Sequence, residues 1–223
     1  MLLLQDALGL LRRPRATLAR IDGRRGGGHG LTGIWLSATL PALVAELAAL
    51  GPYSGPAGLG APPTEIRLLS EAFFRWLYQE RFLLPLVDLL LGAALWLLAV
   101  ALIHWVARRL GGRGSLSGYL GLCGPIAAIG ALAVPVSLVE AGLRAAGQAA
   151  VADALSPLGS SLGLLAFAWQ NVLLVIAAAR HYSLSQDRAI TAVIGPAAAV
   201  AVVLFAVVIT STVLLVMALG STG

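Results

Sequence analysis

The chain has 223 residues, of which 59% are apolar and 11% charged, and its mean hydropathy is +0.90. Soluble domains run near 45–50% apolar and about 25% charged, so a water-soluble fold of this length is excluded and lipid must cover part of the surface. The net charge of +5 is carried on arginine alone, fifteen residues with no lysine. These arginines fall between apolar runs, which fits headgroups and topology rather than nucleic acid.

In chain order, residues 2–11 predict a short interfacial helix. Leu4, Ala7, Leu8 and Leu11 fall at helical spacing, with Gln5, Asp6, Arg12 and Arg13 elsewhere on the wheel. Pro14 breaks it, and residues 23–30, GRRGGGHG, read as a flexible basic linker. Residues 1–30 therefore form a basic N-terminal segment that includes the interfacial helix. The run lacks signal-peptide order, because its arginines follow the apolar stretch.

A five-span transmembrane domain is expected over 31–219, with spans near 31–50, 82–106, 119–143, 158–180 and 189–219. Pro41 predicts a kink in the first. Residues 51–63 form a Pro/Gly-rich loop. Residues 64–81 read as an amphipathic helix capped by Thr64, with an aromatic belt of Phe73, Phe74, Trp76 and Tyr78. The third span is rich in glycine and proline (Gly121, Gly124, Pro125, Gly130, Pro135), which suits close helix approach. Pro196 falls where the long fifth run can bend. The fold class is all-α, a polytopic transmembrane bundle with interfacial helices.

Orientation follows from arginine counts. Arg12, Arg13, Arg15, Arg20, Arg24, Arg25, Arg108, Arg109, Arg113, Arg180 and Arg188 fall on one side, with three acids. Arg67, Arg75, Arg81 and Arg144 fall on the other, with four acids. The first side is expected to be cytoplasmic, with the N-terminus inside and the C-terminus outside, in the plasma membrane of a prokaryote.

Three stretches carry a resemblance. Leu11–Ile21, LRRPRATLARI, opens like the N-terminal segment of the Yip family, the Ypt/Rab-interacting membrane proteins. Gly114-Ser115-Leu116-Ser117-Gly118-Tyr119, followed by Pro125, is similar to the entry to that family's third span, and Ala179–Ser185, ARHYSLS, leading into Arg188-Ala189, is similar to the loop before its last span. The chain resembles a Yip-domain protein of prokaryotic type over residues 11–215. The resemblance implies a fold and a topology more than an activity. The long acidic N-terminal domain of eukaryotic members is missing here, and for a prokaryotic member prenylated Rab partners are not expected.

The candidate polar sites are few. Glu46, Asp88 and Glu140 lie inside spans, roughly 6–9 Å below the outer boundary at 1.5 Å per residue, with Arg81 and Arg144 at that boundary. Charged groups at this depth pair, face inward or lose their charge. They read first as arginine–carboxylate clasps between helix ends, and second as a cation or proton site. Gln170 and Asn171 sit mid-span and read as interhelical hydrogen-bond donors; Thr210, Ser211 and Thr212 in the fifth span bond to their own helix. His104 and His181 fall at span ends, where two histidines without a third ligand make a poor metal site. Cys123 reads as a small buried side chain. No HExxH, GxSxG or phosphate loop occurs.

The expected function is that of a non-catalytic Yip-type membrane protein, acting by helix packing, lipid contact or partner recruitment. The alternative is a small ion- or proton-coupled transporter using the intramembrane carboxylates. No enzyme activity, cofactor, metal or nucleic acid is expected. The expected partners are membrane lipids, with anionic headgroups at the cytoplasmic arginines, and a membrane-protein partner or second copy.

Overall fold

The computed structural model describes residues 2–22, 26–49, 76, 79–80, 82–199 and 209–210. Two short helices, α1 (Leu2–Arg12) and α2 (Pro14–Ile21), precede the long helices α3 (Gly27–Ala49) and α4 (Leu84–Arg109). Then α5 (Leu116–Ala127), a 3-10 stretch (Ala128–Ala133) and α6 (Val134–Ala145) run on as one broken rod, and α7 (Ala149–His181) follows. Residues 186–199 are helical as well. No strand occurs among the described residues.

Four of these segments are long and apolar enough to cross a membrane: Gly27–Leu47, Leu84–Arg109, Leu116–Ala145 and Ala149–His181. Their outward faces are apolar, with Leu164 70% and Phe167 65% exposed on the last of them. Such faces are stable only against hydrocarbon. The expected fifth span lies mostly outside the described residues, as do the 51–63 loop, most of the 64–81 helix and belt, Ser211 and Thr212.

The third span is central, with α3 on one side and α7 on the other, while α4 packs on α3 and α5. Close approach explains the strongest pairing, α3 on α5. A Cβ on Gly124 would stand 2.6 Å from Gly30 Cα, and one on Gly33 would stand 2.5 Å from the Gly124 carbonyl carbon. Only hydrogen fits between the two backbones, the small-residue packing that lipid-embedded helices use. Gly27 and Gly30, expected to belong to a linker, are therefore helical contact points. The Gly27 amide donates to Ser117 Oγ at 3.2 Å.

The third span breaks near its middle. Pro135 removes an amide and crowds the preceding turn, and the backbone tightens to 3-10 geometry before it. Gln170 of α7 supplies what the break leaves wanting. Its Nε2 donates to the carbonyls of Ile126 at 3.2 Å and Ala127 at 3.0 Å. Gly130 leaves room for this amide, since a Cβ there would lie 3.1 Å from Nε2. Asn171 instead donates to its own helix, to Phe167 O at 2.8 Å. Replacing Gln170 by Leu should lower thermal stability in detergent by about 1–2 kcal/mol. Gln170→Glu, which cannot donate when ionised, should cost at least as much, and a wild-type melting midpoint in both would contradict this role.

Three helix ends share one geometry. After α4, Gly112 N–H donates to Ala107 O at 2.9 Å and Gly111 has φ +94°. After α6, Gln148 N–H donates to Leu143 O at 2.8 Å and Gly147 has φ +75°. After α7, Leu184 N–H donates to Ala179 O at 3.0 Å with Ser183 at φ +56°. These are Schellman caps. The tight turn at Gly147 lets α7 start at Ala149, well before the expected residue 158, with Pro157 inside it.

At the N-terminus the packing face differs from the expected one. Asp6, Ala7 and Leu10 are buried, while Leu4 and Leu8 are exposed. Asp6 is accommodated because Arg20 Nη2 donates to it at 2.9 Å and His29 Nε2 lies 3.6 Å away. Helices α1 and α2 form a hairpin, with Gly9 so close to Thr17 that a Cβ would lie 2.8 Å from its Oγ1. The hairpin packs on α5, and α1 also meets the 3-10 stretch. It is thus part of the bundle as well as presenting Leu4 and Leu8 outward.

Candidate functional site

The buried core is densest at the end of the bundle where arginines gather. Leu10, Leu18 and Ile21 of the hairpin meet Ile103, Leu122, Leu173 and Ala177 of the spans. Cys123 is buried in the same cluster.

On this platform sits a polar knot centred on His181, the last residue of α7. Its Nδ1 lies 2.8 Å from Asp22 Oδ1, at the end of α2, and its Nε2 lies 2.9 Å from Ser115 O, in the turn before α5. Both partners are acceptors when Asp22 is ionised, so only the doubly protonated ring donates to both. Asp22 Oδ2 also faces Arg180 Nε at 3.7 Å. One carboxylate at the end of α2 is thus placed between two basic residues at the end of α7. Gly114 and Gly118 wall the imidazole; a Cβ on Gly118 would lie 2.5 Å from His181 Cε1, and one on Gly114 would collide with the ring.

The knot continues through aromatic rings. Tyr182 meets the His181 ring edge-on at 5.0 Å and Tyr119 at 5.2 Å. The Tyr182 hydroxyl lies 2.7 Å from His104 Nδ1, tying in α4. Burial pushes the Tyr182 phenol up from its ordinary value, so this hydroxyl keeps its proton. The Arg113 amide donates to Tyr182 O at 3.3 Å, and Arg188 Nη1 donates to Leu110 O at 3.3 Å. Every element that reaches this end is linked to another by a named bond.

Around the knot Arg12, Arg13, Arg15, Arg20, Arg108, Arg109, Arg113, Arg180 and Arg188 are exposed. Arg109 lies over the Trp105 ring at 5.3 Å. Arg24 and Arg25 lie outside the described residues.

The carboxylates expected at the opposite end are not gathered into one site. Glu140 lines a cavity of about 360 Å³ between α3 and the third span, together with Pro41, Ser137 and Arg144. Its Oε1 is buried without a hydrogen-bond partner among the described residues. Arg144 turns instead to Asp153, with Nη2 at 2.7 Å from Oδ1. Asp88 is exposed and lines a different cavity, of about 380 Å³, between α3 and α4. Glu46 is half-buried on α3, and Arg81 lies outside the described residues. No group of three His, Cys, Asp or Glu side chains with metal-binding geometry occurs among the described residues.

Asp22, Ser115, Tyr119 and Tyr182 were not singled out as site residues by sequence reasoning. Yet each belongs to, or directly follows, one of the three stretches that carry the family resemblance. That those stretches meet in space is the signal that could have found them.

Long apolar helices facing outward around a buried core define a multi-pass α-helical membrane protein. The Yip1 domain family model matches residues 8–220, nearly the whole chain, and the chain belongs to that family. No curated protein and no solved structure matches it.

Proposed function

We propose that this Yip-type membrane protein acts without covalent chemistry. Its basic end engages the anionic surface of a membrane and offers a platform for a membrane-protein partner. The arginine distribution supports a cytoplasmic position for that end. The observation carrying the proposal is the docking of the α1–α2 hairpin onto the span ends through Asp22 and His181. Docked in this way, Arg12, Arg13 and Arg15 are held at the same end of the fold as Arg108, Arg109 and Arg113. Each exposed arginine near an anionic surface contributes about 1 kcal/mol, so a preorganised set gives a strong sum without a catalytic group. Photo-crosslinking residues placed at positions 12 and 113 in cells should yield adducts with a membrane protein. Adducts with lipid alone would leave the partner idea without support.

A second reading, ion or proton movement, is favoured by one observation, the buried Oε1 of Glu140, which has no hydrogen-bond partner among the described residues. In reconstituted vesicles this reading expects pH- or cation-driven flux that Glu140→Gln abolishes and Asp88→Asn leaves intact, since the two line separate cavities. No flux in wild type would remove it.

A further inference from the structure

We propose that a groove between the N-terminal hairpin and the end of α7 is a binding site for one anionic glycerophospholipid. The groove, about 380 Å³, is lined by Arg15, Val175, Ile176, Ala179, Arg180 and Gln186. The inference rests on the reading of the basic end as a surface for anionic headgroups, and narrows it to a single place.

The chemistry of the lining selects the ligand. Two guanidinium groups and a primary amide stand at the end where the spans leave the bilayer. They offer donors and no competing carboxylate within the lining itself. Arg15 is exposed and, among the described residues, has no hydrogen-bond or ion-pair partner. Among the described residues Arg180 commits only its Nε, to Asp22 at the long distance of 3.7 Å, which leaves its terminal nitrogens for the paired bonds a phosphate accepts. The remaining wall, Val175, Ile176 and Ala179, is half-buried and apolar and belongs to a membrane-crossing helix. A free phosphate would leave that wall bare. A diacyl lipid covers it with its glycerol and upper chains while its phosphate meets the arginines. A basic pocket at a helix end, opening along an apolar helix face, is the form in which membrane proteins hold individual anionic lipids.

The position also couples the site to the knot. Asp22 faces Arg180, and it is the same carboxylate that holds His181. A bound phosphate draws Arg180 from Asp22 without touching the shorter bond to His181, so lipid binding leaves the hairpin docked.

The test uses the full-length protein in detergent micelles. Titration with phosphatidylglycerol and, separately, phosphatidylcholine is followed by native mass spectrometry, with inorganic phosphate as a competitor. Wild type should retain one phosphatidylglycerol preferentially, and Arg15→Gln and Arg180→Gln should each weaken it about fivefold, from about 1 kcal/mol per arginine. Arg109→Gln, which is not among the lining residues, should weaken it clearly less than either. Phosphatidylcholine and inorganic phosphate should neither bind comparably nor displace the lipid. Arg15→Gln is the decisive variant, since no hydrogen bond or ion pair among the described residues depends on that side chain. Preferential anionic binding that responds to Arg109 as much as to Arg15 would overturn the groove while leaving the basic-end reading intact. No preference for the anionic lipid would overturn both. Displacement by millimolar phosphate alone would show an anion site with no lipid wall, contrary to the proposal.

Discussion

Gly124→Leu should prevent the first and third spans from closing on each other. The Cβ of any residue at 124 would meet backbone atoms of Gly30 at 2.6 Å, and backbone cannot rotate away as a side chain can. Alanine alone should cost about 1–3 kcal/mol, and leucine more than that, because the helices must separate along the whole crossing. In detergent the leucine variant should lose its monodisperse peak on size exclusion and its cooperative thermal transition. Gly92→Leu is the control, since a Cβ there meets nothing within 4 Å. A Gly124→Leu protein with the wild-type midpoint would show that the two spans do not cross at these glycines.

The second large effect is expected at the knot. Asp22→Asn and His181→Gln should each destabilise the docked hairpin by about 2 kcal/mol. Each breaks a charge-assisted bond of 2.8 Å between side chains only 19% and 10% exposed, where solvent screens little. The double variant should cost clearly less than the sum, since the second change removes a partner already lost. Hydrogen exchange read on residues 14–22 reports this locally, before global unfolding. Faster exchange there, with the α7 interior unchanged, is the expected pattern. Additive effects without local opening would mean that the two side chains do not hold each other.

How far the sequence carried is clearest in particular residues. The spans were legible because runs such as 84–109 are apolar on every face, a pattern only lipid permits. Their ends were less so. Residues 149–157 fold as helix ahead of the span expected at 158–180, because the preceding turn at Gly147 had already reversed the chain and Pro157 lies inside the helix without ending it. Gly27 and Gly30 read as looseness when considered alone, and became contacts only once Leu120 and Gly124 were opposite them. The same limit hid the knot. His181 was noticed, but its partners at Asp22 and Ser115 lie 159 and 66 residues away, and local periodicity has no knowledge of such distances. Asp6 was placed on the wet side of its helix by charge, whereas Arg20 lets it be buried. The carboxylates at the other end illustrate the reverse case. Depth along each span was readable, but rotation about each helix axis was not, and rotation put Glu140 and Asp88 into different cavities.

The account depends on the hairpin being held against the span ends by the α2 carboxylate. Spin labels at positions 16 and 113, both exposed, introduced with Cys123→Ala and measured in lipid nanodiscs, test it directly. One short, narrow distance that broadens in Asp22→Ala is the result expected. A broad distribution in the otherwise unaltered protein, or a narrow one that survives both Asp22→Ala and His181→Ala, would contradict it.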